Sequence, residues 1–260
     1  MTFNTLIYKK EGAVGIVTLN RPERLNALSD ELLLELGQVL EEIDEDEAVD
    51  ALIITGQEKF FGAGADIKEI VNIHTPVEAN RFAKKVRRVF NKLAELRQPT
   101  IAAVSGLALG GGCELALACD VRIAAENASF GLPEIKLGVL PGGGGTQRLP
   151  RLVGAGRAKE MLFSGDPIDA QEAYRIGLVN KVVPLGSLME EAKKMAATFV
   201  ERPGYAIKTI KCLVNEGLNM DLKSALAHEA RNFEILFSTE DQKEGMKAFL
   251  EKRKASFKGR

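Results

Sequence analysis

From Ile101 the chain reads Ile101-Ala-Ala-Val-Ser-Gly-Leu-Ala-Leu-Gly-Gly-Gly-Cys-Glu-Leu-Ala-Leu-Ala-Cys-Asp120. The β-branched, apolar run Ile101 to Val104, flanked by Pro99 and Gly106, predicts a buried strand. After Gly110, Gly111 and Gly112, the Ala- and Leu-rich segment Cys113 to Cys119 predicts a short buried helix. Three glycines where a helix begins leave backbone N–H groups bare and let another atom approach closely. The helix dipole adds partial positive charge at the same end. Glu114, one turn inside this apolar segment, needs a reason, because carboxylates are seldom buried without partners. It either complements the dipole from a half-exposed position or serves chemistry; the stretch alone leaves both open. A phosphate-binding reading is weak, since the Lys-Ser/Thr of a P-loop and the spacing of a dinucleotide fingerprint are both missing.

Read outward from that stretch, the first half is strand-rich. Leu6 to Lys9 and Val14 to Leu19, around Glu11-Gly12, predict a hairpin. Ser29 is placed to cap a helix whose apolar face is Leu32, Leu33, Leu36, Val39, Leu40 and Ile43. Ala51 to Thr55 is a short buried strand, and strand–helix–strand order implies a crossover with parallel pairing. Gln57 to Glu69 is a loop with small residues from Gly62 to Ala65, anchored by Phe60 and Phe61, and Asp66 to Glu69 could open a helical turn. Pro76 to Leu96 predicts a long helix with Phe82, Val86, Val89, Phe90 and Leu93 on one face and Lys84, Lys85, Arg87 and Arg88 on the other. Val121 to Ala124 is another strand. Pro133 and Pro141 exclude a continuous helix between them, which puts Glu134 in a turn among Phe130, Leu132, Ile135 and Leu137. Gly142 to Gly145 lead into a helix near Thr146, a second Gly-rich helix start.

Gly156 to Phe163 follows as a helix. Asp169 to Glu172 and Ser187 to Glu190 carry capping-box patterns, and Leu178 to Val183 is a last strand. Beyond about residue 200 strand signals cease, and Pro203 to Glu216, Leu222 to Phe237 and, after a cap at Thr239, Glu240 to Lys254 all predict helices. We therefore expect a core over residues 1–198 and a helical region over 199–260.

Composition excludes several classes. A net charge of −1 with 27% charged and 45% hydrophobic residues fits a soluble globular protein and argues against nucleic acid as a main partner. The basic side of the Pro76 to Leu96 helix lacks interleaved aromatics and reads as a solvated face. The start of the chain is not a signal peptide, and no apolar run approaches the roughly 18 residues of a membrane span. Cys113, Cys119 and Cys212 show no metal-ligand spacing, and His74 and His228 are too few for multi-histidine metal sites or histidine triads. The expectation is a cytoplasmic protein with reduced thiols and no metal.

Glu114 and Glu134 stand twenty residues apart, too far to neighbour each other on one helix. If the fold converges them in an apolar pocket, both cannot easily ionise, so one can hold a proton while the other acts as base. Backbone donors from Gly110 to Gly112 and from Gly64 to Asp66 would then polarise a carbonyl beside them.

Several ordered motifs resemble the crotonase superfamily, and within it the enoyl-CoA hydratases. They are Phe61-Gly-Ala-Gly-Ala-Asp-Ile-Lys-Glu69, the Ile101 to Leu115 stretch, Phe130-Gly-Leu-Pro-Glu-Ile-Lys-Leu-Gly138 and Pro141 to Leu149 with its Gly-Gly-Thr-Gln-Arg. The likeness extends from Asn20-Arg-Pro22 to Glu244-Gly-Met-Lys-Ala-Phe-Leu250. It implies an α/β fold, a crotonase-like spiral of ββα units with two roughly perpendicular sheets and a C-terminal helical region. It implies hydration of a trans-2-enoyl-CoA, with Glu114 activating water, Glu134 supplying the α-proton, and the backbone N–H groups of Ala65 and Gly111 forming an oxyanion hole. Ala63, Asp66, Ile67 and Lys68, and more weakly Arg24 and Leu25, map to the coenzyme A site. Coenzyme A is part of the substrate, and no further cofactor is implied. Gly62 stands where many relatives carry serine, Leu132 bears on acyl preference, and Lys258 could reach a neighbour's cofactor, though a solvated tail is the plainer reading. A homotrimer or homohexamer is implied, and would explain apolar positions such as Leu226, Phe233, Ile235, Leu236 and Phe237. The resemblance leaves room for Δ3,Δ2-enoyl-CoA isomerisation, for hydration of a branched enoyl-CoA such as methylglutaconyl-CoA, and, from another class, for RNA binding through Lys84 to Arg88.

Overall fold

The computed structural model describes residues 3–259. A hairpin of β1 (Leu6–Glu11) and β2 (Val14–Leu19) leads to α1 (Asp30–Glu45) and β3 (Ala51–Thr55). Then come β4 (Phe60–Gly62), the short α2 (Ile67–Ile70) and α3 (Pro76–Glu95). The next turn is β5 (Thr100–Val104), β6 (Leu107–Leu109) and α4 (Gly111–Ala118), followed by β7 (Val121–Ala125) and β8 (Ser129–Gly131). A 3-10 turn at Pro133–Leu137 precedes α5 (Gly145–Val153), α6 (Ala155–Ser164), β9 (Ile168–Asp169) and α7 (Ala170–Arg175). After β10 (Lys181–Val183) only helices remain: α8 (Leu188–Val200), α9 (Gly204–Gly217), α10 (Leu222–Leu236) and α11 (Glu240–Leu250).

The strands divide between two sheets, ordered β1-β2-β3-β5-β7-β10 and β4-β6-β8-β9. Three times the chain places one strand in the larger sheet, the next in the smaller, and then turns into a helix. This is a spiral of ββα units. The β2 to β10 part of the large sheet is parallel throughout, as crossover helices require.

Both faces of the large sheet are covered at its centre, which is why β3 and β5 are buried at every position rather than at alternate ones. Leu52, Ile54, Ala102, Val104 and Ala124 face a large core shared with α1, α3 and α4. Their neighbours Ala51, Ile53, Ile101, Ala103, Ile123 and Ala125 face a smaller core closed by Leu188, Ala192 and Ala196 of α8. At about 1.5–3 kcal/mol for each fully buried large apolar side chain, this double burial dominates stability.

Local signals succeed where side chains cap as the pattern asks. Ser29 accepts from Leu32 N, Asp169 from Glu172 N and Thr239 from Gln242 N. The box expected at Ser187 does not form: its backbone is already helical (φ −102°, ψ −4°), so its hydroxyl cannot reach back to the first turn. The strand expected over Leu178 to Val183 is confined to Lys181–Val183. Upstream of it Leu178 and Asn180 serve Arg122 instead, through Leu178 O and through bonds in both directions between Arg122 and Asn180.

The basic side of α3 lies along the acidic side of α1. Lys85 pairs with Asp30, Lys92 with Asp44, and Arg88 approaches Glu41 at 3.8 Å. Such exposed pairs add little stability, but they neutralise much of the stripe that an RNA-binding reading would need. At the other end, the C-terminal tail is not simply solvated. Buried Asp241 accepts from the backbone N–H groups of Lys258 and Gly259, while the Lys258 side chain stays exposed.

Candidate active site

The site is built on the N-terminus of α4. Gly110 precedes it with φ +50°, in a region that L side chains rarely adopt. The loop after β4 packs directly on this helix end. A Cβ on Gly110 would lie 3.4 Å from Gly64 Cα, and one on Gly112 would lie 2.1 Å from Gly62 O. Glycine is therefore required at position 112 by close backbone approach. A Cβ on Gly62 itself would meet Gly112 Cα at 3.2 Å, tight but open to a small side chain such as serine.

Two amides are bared by this packing. Gly111 is the first residue of α4, so its N–H has no acceptor in the helix. Ala65 forms a parallel bridge with Leu28, in which Leu28 N donates to Gly64 O and Asp66 N donates to Leu28 O. The N–H of Ala65 therefore points away from Leu28. Among the described residues neither amide has a protein acceptor.

Glu114 follows one turn later and is 3% exposed. Its Oε1 accepts from Gly143 N at 2.8 Å and Gly145 N at 2.7 Å, from the loop that opens α5. A Cβ on Gly143 would collide with Glu114 Oε2, Phe90 and Val86, so this loop must be bare to reach the carboxylate. Arg148, one turn into α5, holds the loop by donating to Gly143 O at 2.8 Å and to Asn91 Oδ1 at 2.8 Å. Burial raises the proton affinity of Glu114, against the opposing effect of the Gly143 and Gly145 amides and the charge of Arg148.

Glu134 enters from the 3-10 turn after β8. Its Oε1 would lie 3.0 Å from a Cβ on Gly110, which sets its carboxyl against the same glycine that supports the bare amides. Its Oε2 is buried with no hydrogen-bond partner among the described residues. Burial, and secondarily the negative charge of Glu114, push its pKa up from the ordinary 4.5 to about 7. A half-buried carboxyl with one oxygen unpartnered, held in its neutral form, can donate a proton. The geometry thus offers one carboxylate fixed by amides, one carboxyl that keeps its proton near neutrality, and two free N–H donors beside them.

The raised value has a consequence for stability. Folding tightens proton binding at Glu134, so its stabilising contribution is full below 4.5 and is lost as pH rises through about 7. Glu134→Gln keeps the shape and cannot ionise. Its Tm is expected to match the wild type below pH 4.5, to exceed it by a margin that grows between about pH 4.5 and 7, and to keep a constant margin above that. A Tm difference that stays constant across that range would show that the carboxyl is not held neutral.

The remaining expected residues fall into two groups. Arg24, Leu25, Ile67 and Lys68 are exposed, and Ala63 is partly so. Ala63 N donates to Leu25 O, so the segment after a 3-10 turn at Pro22–Arg24 runs beside the Ala63 to Asp66 loop and these residues share one rim of the site. Asp66 differs. It is 8% exposed, caps α2 through Lys68 N, and pairs with Arg21 at 3.2 Å. Its carboxylate helps to hold the loop in place. Leu132 is fully buried, within reach of Gly145 beside Glu114. Sequence reasoning gave no role to Arg21, Asn26 or Arg148. Asn26, buried at φ +55°, accepts from Arg21 N and donates to Phe61 O, stitching the rim to β4. Only Arg148 left a usable signal, a cation one turn after a Gly-rich helix start.

Two sheets wound as ββα turns, with acid side chains and bare amides meeting where a helix starts, define a crotonase-type fold. The chain belongs to the enoyl-CoA hydratase/isomerase family, which it matches over residues 9–260. It is 51% identical over 262 residues to the short-chain-enoyl-CoA hydratase of Clostridium acetobutylicum, covering 100% of both chains. It is 49% identical over 258 residues to the crotonyl-CoA hydratase of Syntrophomonas wolfei, covering 99% of each. Among solved structures, the enoyl-CoA hydratase of Bacillus anthracis superposes with a TM-score of 0.95 at 42% identity, over 99% of this chain and 100% of that one.

Proposed function

We propose that this protein is an enoyl-CoA hydratase that adds water reversibly across the double bond of a trans-2-enoyl-CoA to give the 3-hydroxyacyl-CoA. The observation that carries this reading is the pairing of Glu114 and Glu134, two carboxyl groups in unlike environments beside the Ala65 and Gly111 amides. The thioester oxygen sits between the two amides, which stabilise the enolate-like charge that develops there. Glu114 takes a proton from water as its oxygen bonds to the β-carbon. Glu134, neutral at the outset, gives its proton to the α-carbon as the double bond is consumed. The two groups end with their protonation exchanged, and proton return between them restores the starting state. Hydration asks for two acid/base groups, whereas moving a double bond along the chain needs only one group to carry a proton between carbons. The presence of both favours hydratase over isomerase. This reading asks for no cofactor beyond the coenzyme A carried by the substrate, whose tail would lie along the rim of Arg24, Leu25, Ala63, Ile67 and Lys68.

Mixing the protein with crotonyl-CoA is expected to remove the near-ultraviolet absorbance of the conjugated thioester and yield 3-hydroxybutyryl-CoA. Inactivity there, with a 3-enoyl-CoA instead gaining conjugated absorbance, would replace the hydratase reading with isomerase. The relatives named for crotonyl-CoA and short-chain substrates support testing four carbons first.

The helical region over residues 199–260 is the oligomerisation surface in this reading. Leu226, Phe233, Ile235 and Phe237 are each about half exposed or more, an apolar display of the kind that marks a protein interface. A homotrimer or its paired hexamer is the expected assembly, to be read by light scattering. The free thiols at Cys113, Cys119 and Cys212 are in keeping with a reducing, cytoplasmic setting.

A further inference from the structure

Away from the active site, three residues of different chemistry meet between α9 and α10. Cys212 and Glu216 are four residues apart on α9, so they share one face of it. His228 of α10 faces them. One ligand atom from each of the three lies within 4.8 Å of the others. His228 Nε2 is 2.9 Å from Glu216 Oε2, yet it is buried without a hydrogen bond. His228 Nδ1 faces the amide of Asn232 at 3.5 Å, which leaves Nε2 as the atom turned toward Glu216 and Cys212.

We propose that Cys212 Sγ, Glu216 carboxylate and His228 Nε2 form a binding site for a borderline-soft divalent cation of the Zn2+ class. The donor set decides the class. A thiolate, an imidazole and one carboxylate suit Zn2+, whereas Mg2+ and Ca2+ require oxygen ligands. Around tetrahedral zinc, ligand atoms stand about 3.3–3.8 Å from one another, as follows from bond lengths of roughly 2.0–2.3 Å. Rotamer adjustment from the observed spacing reaches that, because Cys212 and Glu216 lie at the surface. Binding releases the thiol proton. Three protein ligands leave a fourth position for water. The cation would tie the C-terminal part of α9 to α10 within the helical region. The motif is invisible as a spacing, since the histidine lies on another helix.

The test uses the full chain with the metal alone. Competition against a chromophoric chelator is expected to show one Zn2+ per chain. Substitution with Co2+ is expected to give thiolate-to-metal charge transfer together with tetrahedral ligand-field bands. Cys212→Ser should abolish the charge-transfer band. His228→Ala should weaken Zn2+ by more than the roughly 10–100-fold typical of losing an outer-shell partner. His74→Ala, which removes the other histidine, should change neither. Retained crotonyl-CoA hydration by Cys212→Ser and His228→Ala would verify that both variants fold. Zn2+ binding by the wild type that is absent, or that survives unchanged in Cys212→Ser and His228→Ala, would overturn the site.

Discussion

Glu134→Gln is expected to lower kcat for crotonyl-CoA hydration by about 10²–10⁴-fold, the range that a positioned acid or base contributes. Glutamine keeps the shape against Gly110 but has no proton to give the α-carbon. Because the carboxyl is raised to about 7, mainly by burial, the wild-type hydration rate should fall as pH rises through that region. Glu134→Gln should lose this limb along with the rate. Glu114→Gln is expected to cost a similar factor for a different reason. Its Oε1 could still be an amide oxygen accepting from Gly143 and Gly145, so the loop should hold. The opposite oxygen becomes an NH2 that cannot take a proton from water. Steady-state kinetics over pH 5–9 check both. Near-normal turnover in either variant would remove that residue from the chemistry, and KM should change far less than kcat, since neither group is needed to bind the coenzyme A portion.

Gly112→Ala is expected to damage the site severely without touching the carboxyl pair. The added methyl would stand 2.1 Å from Gly62 O and 2.6 Å from Gly62 C, and both are backbone atoms that no rotamer can move. Relief requires the Gly62 to Ala65 loop to lift from the start of α4. That separates the Ala65 amide from the Gly111 amide. Misplacing one such donor costs about 10²–10³ in kcat, and forced overpacking adds roughly 1–3 kcal/mol of destabilisation. Both a lower Tm and a lower kcat are therefore expected, with Glu114 and Glu134 untouched. If Gly112→Ala were folded and fully active, the contact between the loop and the helix would not be what aligns the two amides. Gly62→Ser is the control, as its Cβ meets Gly112 Cα only at 3.2 Å and should be tolerated.

The two halves of the site differ in how they could be read. Glu114 stood out because it interrupts an apolar helix after three glycines, a local anomaly visible in a dozen residues. Glu134 stood out less, as an acid in an apolar turn between prolines. The second sheet was invisible from the residues. Its strands β4, β6, β8 and β9 are three residues or fewer, too short for any period to register. Only the family likeness supplied it. Ser187 failed as a cap because its backbone angles, and not its residue type, decide whether the hydroxyl can reach.

By itself the sequence determined the helices and long strands, since their periodicities and caps are local, and it determined which side chains are chemically out of place. Folding decided what those side chains touch. Oε1 of Glu114 meets amides from about thirty residues downstream, and Asp66 pairs with Arg21 from a distant part of the chain. Oε2 of Glu134 loses water and gains no partner among the described residues. Proton affinity depends on desolvation and on charges brought from distant parts of the chain, and neither is a property of neighbours in sequence.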